Sequence, residues 1–278
     1  MFSYLYLGRT DYARALALQQ RLVELRHQQR IGNTLLLLEH PPVLTLGRNS
    51  HRSNILASDE TLLRRGVQIH EINRGGDVTY HGPGQLVGYP IVDLRSFTPR
   101  LGAVEFVRLI EEALMRFCAE YAVHAGRIVG RTGVWTTANC AAEEKKIAAI
   151  GVHISRGITS HGFAINITTD LRDFGLIVPC GIADKEVTSL ENETCQRVPS
   201  LEDAANEMAR QIGWAFKEQI LALESLQDLI AGGSASDALQ PLRKHKPGEE
   251  TRIVPEDTPL SVPKELRRFK GEEDSFLA

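Results

Sequence analysis

The spacing of apolar and polar residues divides the chain into short strands and a few longer helices. Residues 2–7 predict a first strand, and Thr10 is placed to cap a helix reaching about residue 29, with Leu16, Leu22, Val23 and Leu25 along its apolar stripe. Residues 34–38 are continuously apolar, the pattern of a buried strand. Pro41 and Pro42 hold the backbone extended, and residues 43–46 resume as a strand ending at Gly47 and Arg48. A short helix over 59–65 stops at Gly66, and a half-alternating strand follows over 67–72. Residues 86–94 predict a strand with Gly88 in its middle. The clearest amphipathic helix covers 103–121, with Phe106, Ile110, Leu114 and Phe117 at helical spacing. Three more strands are predicted over 133–135, 147–154 and 161–167. The last helix begins at Ser200, which with Asp203 makes a capping-box-like start, and runs to about residue 230. Strands in hairpin-like succession with separated helices predict an α+β fold rather than strict βαβ alternation.

At 278 residues the chain can bury a sizeable core without a disulfide or metal staple. A net charge of -3 argues against a general nucleic-acid binder. No stretch reaches the roughly 20 apolar residues of a membrane span, so no membrane residence is expected. The four cysteines, Cys118, Cys140, Cys180 and Cys195, form no C-x-x-C pair and no disulfide framework. With no signal-peptide core at the start, this predicts free thiols in a reducing, cytoplasmic compartment. Composition changes at Gly232-Gly233-Ser234-Ala235-Ser236, and five of the twelve prolines lie beyond it, mixed with charge. The expected organisation is a folded domain over 1–231 and a tail over 232–278 that is disordered or draped on the body.

Four places along the chain carry candidate chemistry. The first is Arg74-Gly75-Gly76-Asp77-Val78-Thr79-Tyr80-His81-Gly82-Pro83-Gly84-Gln85, whose glycines let backbone approach a ligand while Arg74 and His81 supply donors. A glycine-rich hairpin loop with an incidental histidine is the plainer alternative. The second is Cys180, framed by Pro179 and Gly181, which suits an exposed thiol aided by neighbouring amides. A thiol with its ordinary pKa near 8.5 is mostly protonated at pH 7, and one close cation can lower it. Cys118, on an apolar helix face, reads instead as a small core residue. The third is Lys146, where a charged loop enters an apolar strand. It is partly desolvated there and able to lower a thiol's pKa, although Lys145 beside it keeps the assignment open and a snorkelling strand-end lysine is the common case. The fourth is His161-Gly162-Phe163-Ala164-Ile165-Asn166, where small residues leave room for a ligand and Asn166 offers a polar contact. His161 fits a ligand contact or a structural role, and His40 a pocket wall or a turn. No phosphate-binding loop, dinucleotide fingerprint or metal-ligand spacing is present, so no cofactor is expected.

These blocks resemble the lipoyl(octanoyl) transferases. The residues 74–85 look like that family's signature, as do Lys146-Ile147-Ala148-Ala149-Ile150-Gly151, the His161 block and Pro179-Cys180-Gly181, in the same order. A softer match is Glu39-His40-Pro41-Pro42-Val43-Leu44-Thr45-Leu46-Gly47-Arg48. The resemblance covers roughly residues 1–220. It implies a mixed β-sheet with packed helices, shared with lipoate- and biotin–protein ligases. It also implies transfer of octanoyl from acyl carrier protein to a lysine of lipoyl domains, those of 2-oxoacid dehydrogenase complexes and the glycine cleavage H protein. By that resemblance Cys180 carries the acyl group as a thioester and Lys146, rather than Lys145, is its partner. Residues 74–81 together with Ala149, Ile150, Gly151, Gly162, Phe163 and Ala164 would bind the chain. Because both protein partners in the family are acidic, a local basic patch involving Arg48, Arg74 and Lys145 is expected. An ATP-dependent lipoate–protein ligase and a non-catalytic acyl-binding protein are the alternatives.

Overall fold

The computed structural model describes residues 1–136, 144–178 and 186–231. In chain order the strands are β1 (Phe2–Arg9), β2 (Asn33–Glu39), β3 (Val43–Leu46), β4 (Gln68–Glu71), β5 (Val78–His81), β6 (Gln85–Ile91), β7 (Ala125–Ile128), β8 (Arg131–Thr136), β9 (Lys146–Ser155), β10 (Ile158–Asn166) and β11 (Ile220–Ala222). The helices are α1 (Tyr12–His27), α2 (Asp59–Arg64), α3 (Ala103–Glu120), α4 (Leu190–Glu193), α5 (Leu201–Phe216) and α6 (Leu226–Ala231).

Eight of the strands form one mixed sheet in the order β11-β1-β2-β6-β10-β9-β8-β7. β1 runs parallel to β2 through the α1 crossover and parallel to β11, and the remaining neighbours are antiparallel. The four leucines of β2 explain why its run is unbroken. Leu35 and Leu37 pack toward α3 and α5, whereas Leu36 and Leu38 pack toward α1. A central strand covered on both faces has no polar side to show. On α3, Phe106, Ile110, Leu114 and Phe117 are fully buried, each worth roughly 2–3 kcal/mol of burial. Three further strands make a small sheet, β4-β3-β5, over a satellite core that includes Leu44, Val78, Tyr80 and Phe174.

The α+β class and the mixed sheet agree with expectation, and several boundaries differ. Asp11, not Thr10, caps α1, accepting from the Arg14 N–H at 3.1 Å, while the Thr10 N–H joins β2 through Glu39 O. The long last helix ends at Lys217, a left-handed cap at φ 54°, and the chain continues as β11 and α6. Two strands lie where none was read, β5 inside the glycine-rich stretch and β7 before Gly130. The tail over 232–278 lies outside the described residues.

Candidate functional site

Where β9 and β10 pair, small residues leave a slot between the sheet, α1 and the segment that links β4 to β5. Ala149, Ile150 and Gly151 of β9 line it, with Gly162, Phe163 and Ala164 of β10 beside them. Their register is fixed by the antiparallel ladder, which sets Gly162 opposite Gly151 and Ala164 opposite Ala149. Arg74, Gly75, Gly76, Asp77, Thr79 and His81 form the facing wall. That wall is tied to β9 by the Gly75 N–H, which donates to Val152 O at 3.0 Å.

Strand alternation decides which residues of β5 reach the slot. Thr79 and His81 do, while Val78 and Tyr80 point into the satellite core, where the Tyr80 hydroxyl donates to Asp173 at 2.7 Å. Of the expected ligand-binding run 74–81, Val78 and Tyr80 thus turn their side chains away from the slot. Two backbone amides of the segment are already committed, Gly75 N–H to Val152 O and Val78 N–H to Asp77 Oδ1 at 2.6 Å.

Lys146 opens the adjoining recess, walled by Gln85, Asn166, Phe174 and Val187. The recess shares Thr79, Ala149 and Ala164 with the slot. Its backbone is clamped on one side by the chain at Glu186, Val187 and Thr188, the Lys146 N–H donating to Glu186 O at 2.8 Å and the Thr188 N–H to Lys146 O at 2.9 Å. Cys180, with Pro179 and Gly181, lies outside the described residues, as does Cys140. The described residues that flank it are both anchored here. Val178 N–H donates to Asn54 O at 2.8 Å, Asn54 Nδ2 donates to Asp77 of the slot wall at 2.6 Å, and Glu186 joins the lysine strand.

A buried hydrogen-bond chain fixes the polar members of the wall. Gln85 Nε2 donates to Asn166 Oδ1 at 2.9 Å and Asn166 Nδ2 to Thr188 O at 2.8 Å. Gln85 Oε1 therefore accepts from His81 Nδ1–H at 2.7 Å, which leaves His81 as the tautomer with Nε2 unprotonated. His161 sits at φ 55°, its N–H donating to Gln19 Oε1 at 2.9 Å and its Nε2–H to Asn73 at 2.8 Å. His40 is fully buried outside the slot, bonded to Thr10 O and the Tyr89 hydroxyl at 2.6 and 2.7 Å. The Tyr12 ring lies nearly parallel to His81 and tilted against His40 and His70, and with Val87 and Tyr89 it completes the slot. Tyr12, Val87 and Tyr89 had no sequence signal beyond core character, because they come from α1 and β6.

Burial pushes His40 down to about 4, His81 to about 3 and His161 to about 4, and the Arg74 charge adds to the last two. Histidines in an unfolded chain titrate near 6.5. Between those values the unfolded chain binds more protons, so stability is lost as pH falls below about 6.5. Denaturant midpoints at pH 7 and pH 5.5 are expected to differ, with each ring costing about 1 kcal/mol at the lower pH. Equal midpoints would show that these rings are charged and solvated in the folded state.

The expected basic patch is not assembled as read. Arg74 is buried, its guanidinium donating to Thr45 O at 2.6 Å, Thr45 Oγ1 at 2.9 Å and Gly75 O at 3.0 Å. Lys145 pairs with Glu186 at 3.0 Å, and Arg48 remains exposed. Among the described residues no three His, Cys, Asp or Glu side chains converge as a metal site, and no helix is long and apolar enough to cross a membrane.

An octanoyltransferase of Acidobacterium capsulatum is 65% identical over 236 residues, 83% of this chain and 96% of that protein. An octanoyltransferase of Koribacter versatilis is 50% identical over 277 residues, spanning both chains completely. Among solved structures, a bipartite lipoate protein ligase from Thermoplasma acidophilum superposes with a TM-score of 0.61 at 17% identity, covering 84% of this chain and 91% of that one. Lipoate-protein ligase A bound with ATP does so with a TM-score of 0.60 at 16% identity, covering 84% and 94%. These two establish likeness of fold. Residues 11–213 match the model of the lipoyl protein ligase A/B catalytic domain, and by that match and its curated relatives the chain belongs to this family.

Proposed function

We propose that the chain is an octanoyltransferase that moves an octanoyl group from acyl carrier protein to a lysine of lipoyl domains, in lipoate biosynthesis. The observation that carries the reading is the Lys146 recess opening on the slot between β9, β10 and the Arg74–His81 wall. The names of its relatives agree with it. The Cys180 thiolate attacks the thioester carbonyl, a new C–S bond forms, and the bond to the carrier thiol breaks. Lys146 gives a proton to the departing thiolate. In the second half the substrate amine attacks the Cys180 thioester, Lys146 takes its proton, and the cysteine leaves as thiolate. Exchange between thioesters is close to isoenergetic, so no nucleotide is needed. The slot reads chain length, because each buried methylene contributes about 0.8 kcal/mol.

Acceptors are the lipoyl domains of 2-oxoacid dehydrogenase complexes and the glycine cleavage H protein. Cytoplasmic residence suits the free thiols of Cys118 and Cys195. We take residues 1–231 as the catalytic domain and 232–278 as an accessory tail. The test is transfer from octanoyl-acyl carrier protein to an unmodified lipoyl domain without ATP, read by intact mass. A gain of one octanoyl group on the domain is expected. Transfer that appears only with ATP and free octanoate would make the chain a ligase instead.

A further inference from the structure

Lys146 begins β9 between the chain at Glu186 and Thr188 on one side and β8 on the other, where its register partner is Trp135. The lysine is 8% exposed, and its Nζ stands 4.9 Å from the centroid of the Trp135 ring. Two residues earlier on β8, Gly133 has φ +120°. A Cβ there would lie 2.6 Å from Ala148 O and 3.1 Å from Lys146 Cε. The strand is therefore shaped around the lysine stem. Its backbone is held from the other side by the buried carboxylate of Glu111 on α3, which accepts the Gly133 N–H at 3.3 Å.

Trp135 is 1% exposed, and its Nε1–H has no partner among the described residues. A buried indole usually finds a partner for that proton, and leaving it unpaired is a cost that phenylalanine would avoid. What the indole supplies beyond phenylalanine is the strongest ring face for a cation. Arg131 is a second cation near the same ring, its Cζ 5.9 Å from the centroid.

We propose that Trp135 is a positioning residue for Lys146, its ring face holding the ammonium in the recess that adjoins the slot. A lysine side chain has many rotamers to lose, and a ring beside the nitrogen removes that freedom before substrate arrives. The inference rests on the acyl-transfer reading above and adds a residue that acts through the lysine.

The experiment is a double-mutant cycle on the full chain. Single-turnover acylation by octanoyl-acyl carrier protein and donor binding are measured for Trp135→Leu and Trp135→Phe, each alone and combined with Lys146→Ala. Trp135→Leu is expected to slow acylation by about ten- to thirtyfold with donor affinity unchanged. Trp135→Phe, which keeps a weaker ring face, is expected to recover most of that loss. In the Lys146→Ala background, neither change is expected to cost more than about twofold. If Trp135→Leu proves too unstable to assay, the same cycle is read on Trp135→Phe, with a loss of about threefold that vanishes without the lysine. Equal losses in both backgrounds, or an unchanged rate in the single variants, overturn the proposal alone. Failure of the unmodified protein to be acylated overturns the acyl-transfer reading, and this proposal with it.

Discussion

Replacing Cys180 by alanine is expected to abolish the octanoyl adduct and turnover together. The reason is stoichiometric rather than electrostatic. If the acyl group waits on Cys180 between its donor and its acceptor, removing the sulfur that holds it leaves no partial route. Lys146→Ala is a different kind of loss. A positioned proton donor and acceptor contributes about 10²–10⁴-fold, so this variant is expected to acylate slowly while still carrying the adduct at long times. The measurement is intact mass against time after mixing with octanoyl-acyl carrier protein. An adduct that persists in Cys180→Ala, or normal acylation in Lys146→Ala, would overturn the assignment of the respective residue.

The parts of this site legible in the sequence are those where chemistry leaves a local mark. Glycines at 75 and 76 beside Arg74, small residues at 149 and 162, and a lysine at the start of an apolar strand can be read without a fold, because backbone access and charge at a strand end are local properties. The slot's other walls are not local. Tyr12 stands at the start of α1 and Tyr89 lies within β6, and only the order of strands in the sheet brings them beside His81 and His161. The inward direction of Val78 and Tyr80 is hidden for a related reason. The stretch read as a glycine-rich loop contains the four-residue strand β5, and an unread strand hides its own alternation.

The fold shows the same division. Long runs with clear periodicity, such as β2 and α3, were recognisable because burial on two faces or on one stripe writes itself into composition. The end of α5 was not recognisable, because its left-handed cap is Lys217 rather than the glycine that usually marks such a stop. Nor was β7, a short and half-exposed edge strand, Ala-Gly-Arg-Ile, with no apolar face to display.

Gly162→Ala is expected to lower stability by about 3 kcal/mol, the upper end of overpacking costs. The residue before it, His161, turns the strand through φ 55°, and Gly162 stands just before the β10–β6 ladder, which begins with Phe163 opposite Gly88. A Cβ at 162 would lie 2.0 Å from Gly88 O and 2.6 Å from Pro90 Cδ, so it meets backbone on a central strand that is already paired on both sides. No flexible side chain is available to yield. Gly88 cannot move away either, because the Phe163 ring already lies against it, with Cζ 2.2 Å from where a Cβ of residue 88 would stand. For a folded body of this size about 3 kcal/mol corresponds to a fall of roughly 6–12 °C in melting temperature. Gly32→Ala is the control, since a Cβ there meets nothing within 4 Å, and its melting temperature is expected to stay within about 2 °C of the unmodified protein. Because Gly162 also lines the slot, octanoyl transfer measured well below the melting transition should fall as well, by narrowing rather than unfolding. Equal melting temperatures for Gly162→Ala and the unmodified chain would mean that β6 and β10 can separate without cost. The slot would then be far less rigid than the paired strands around it imply.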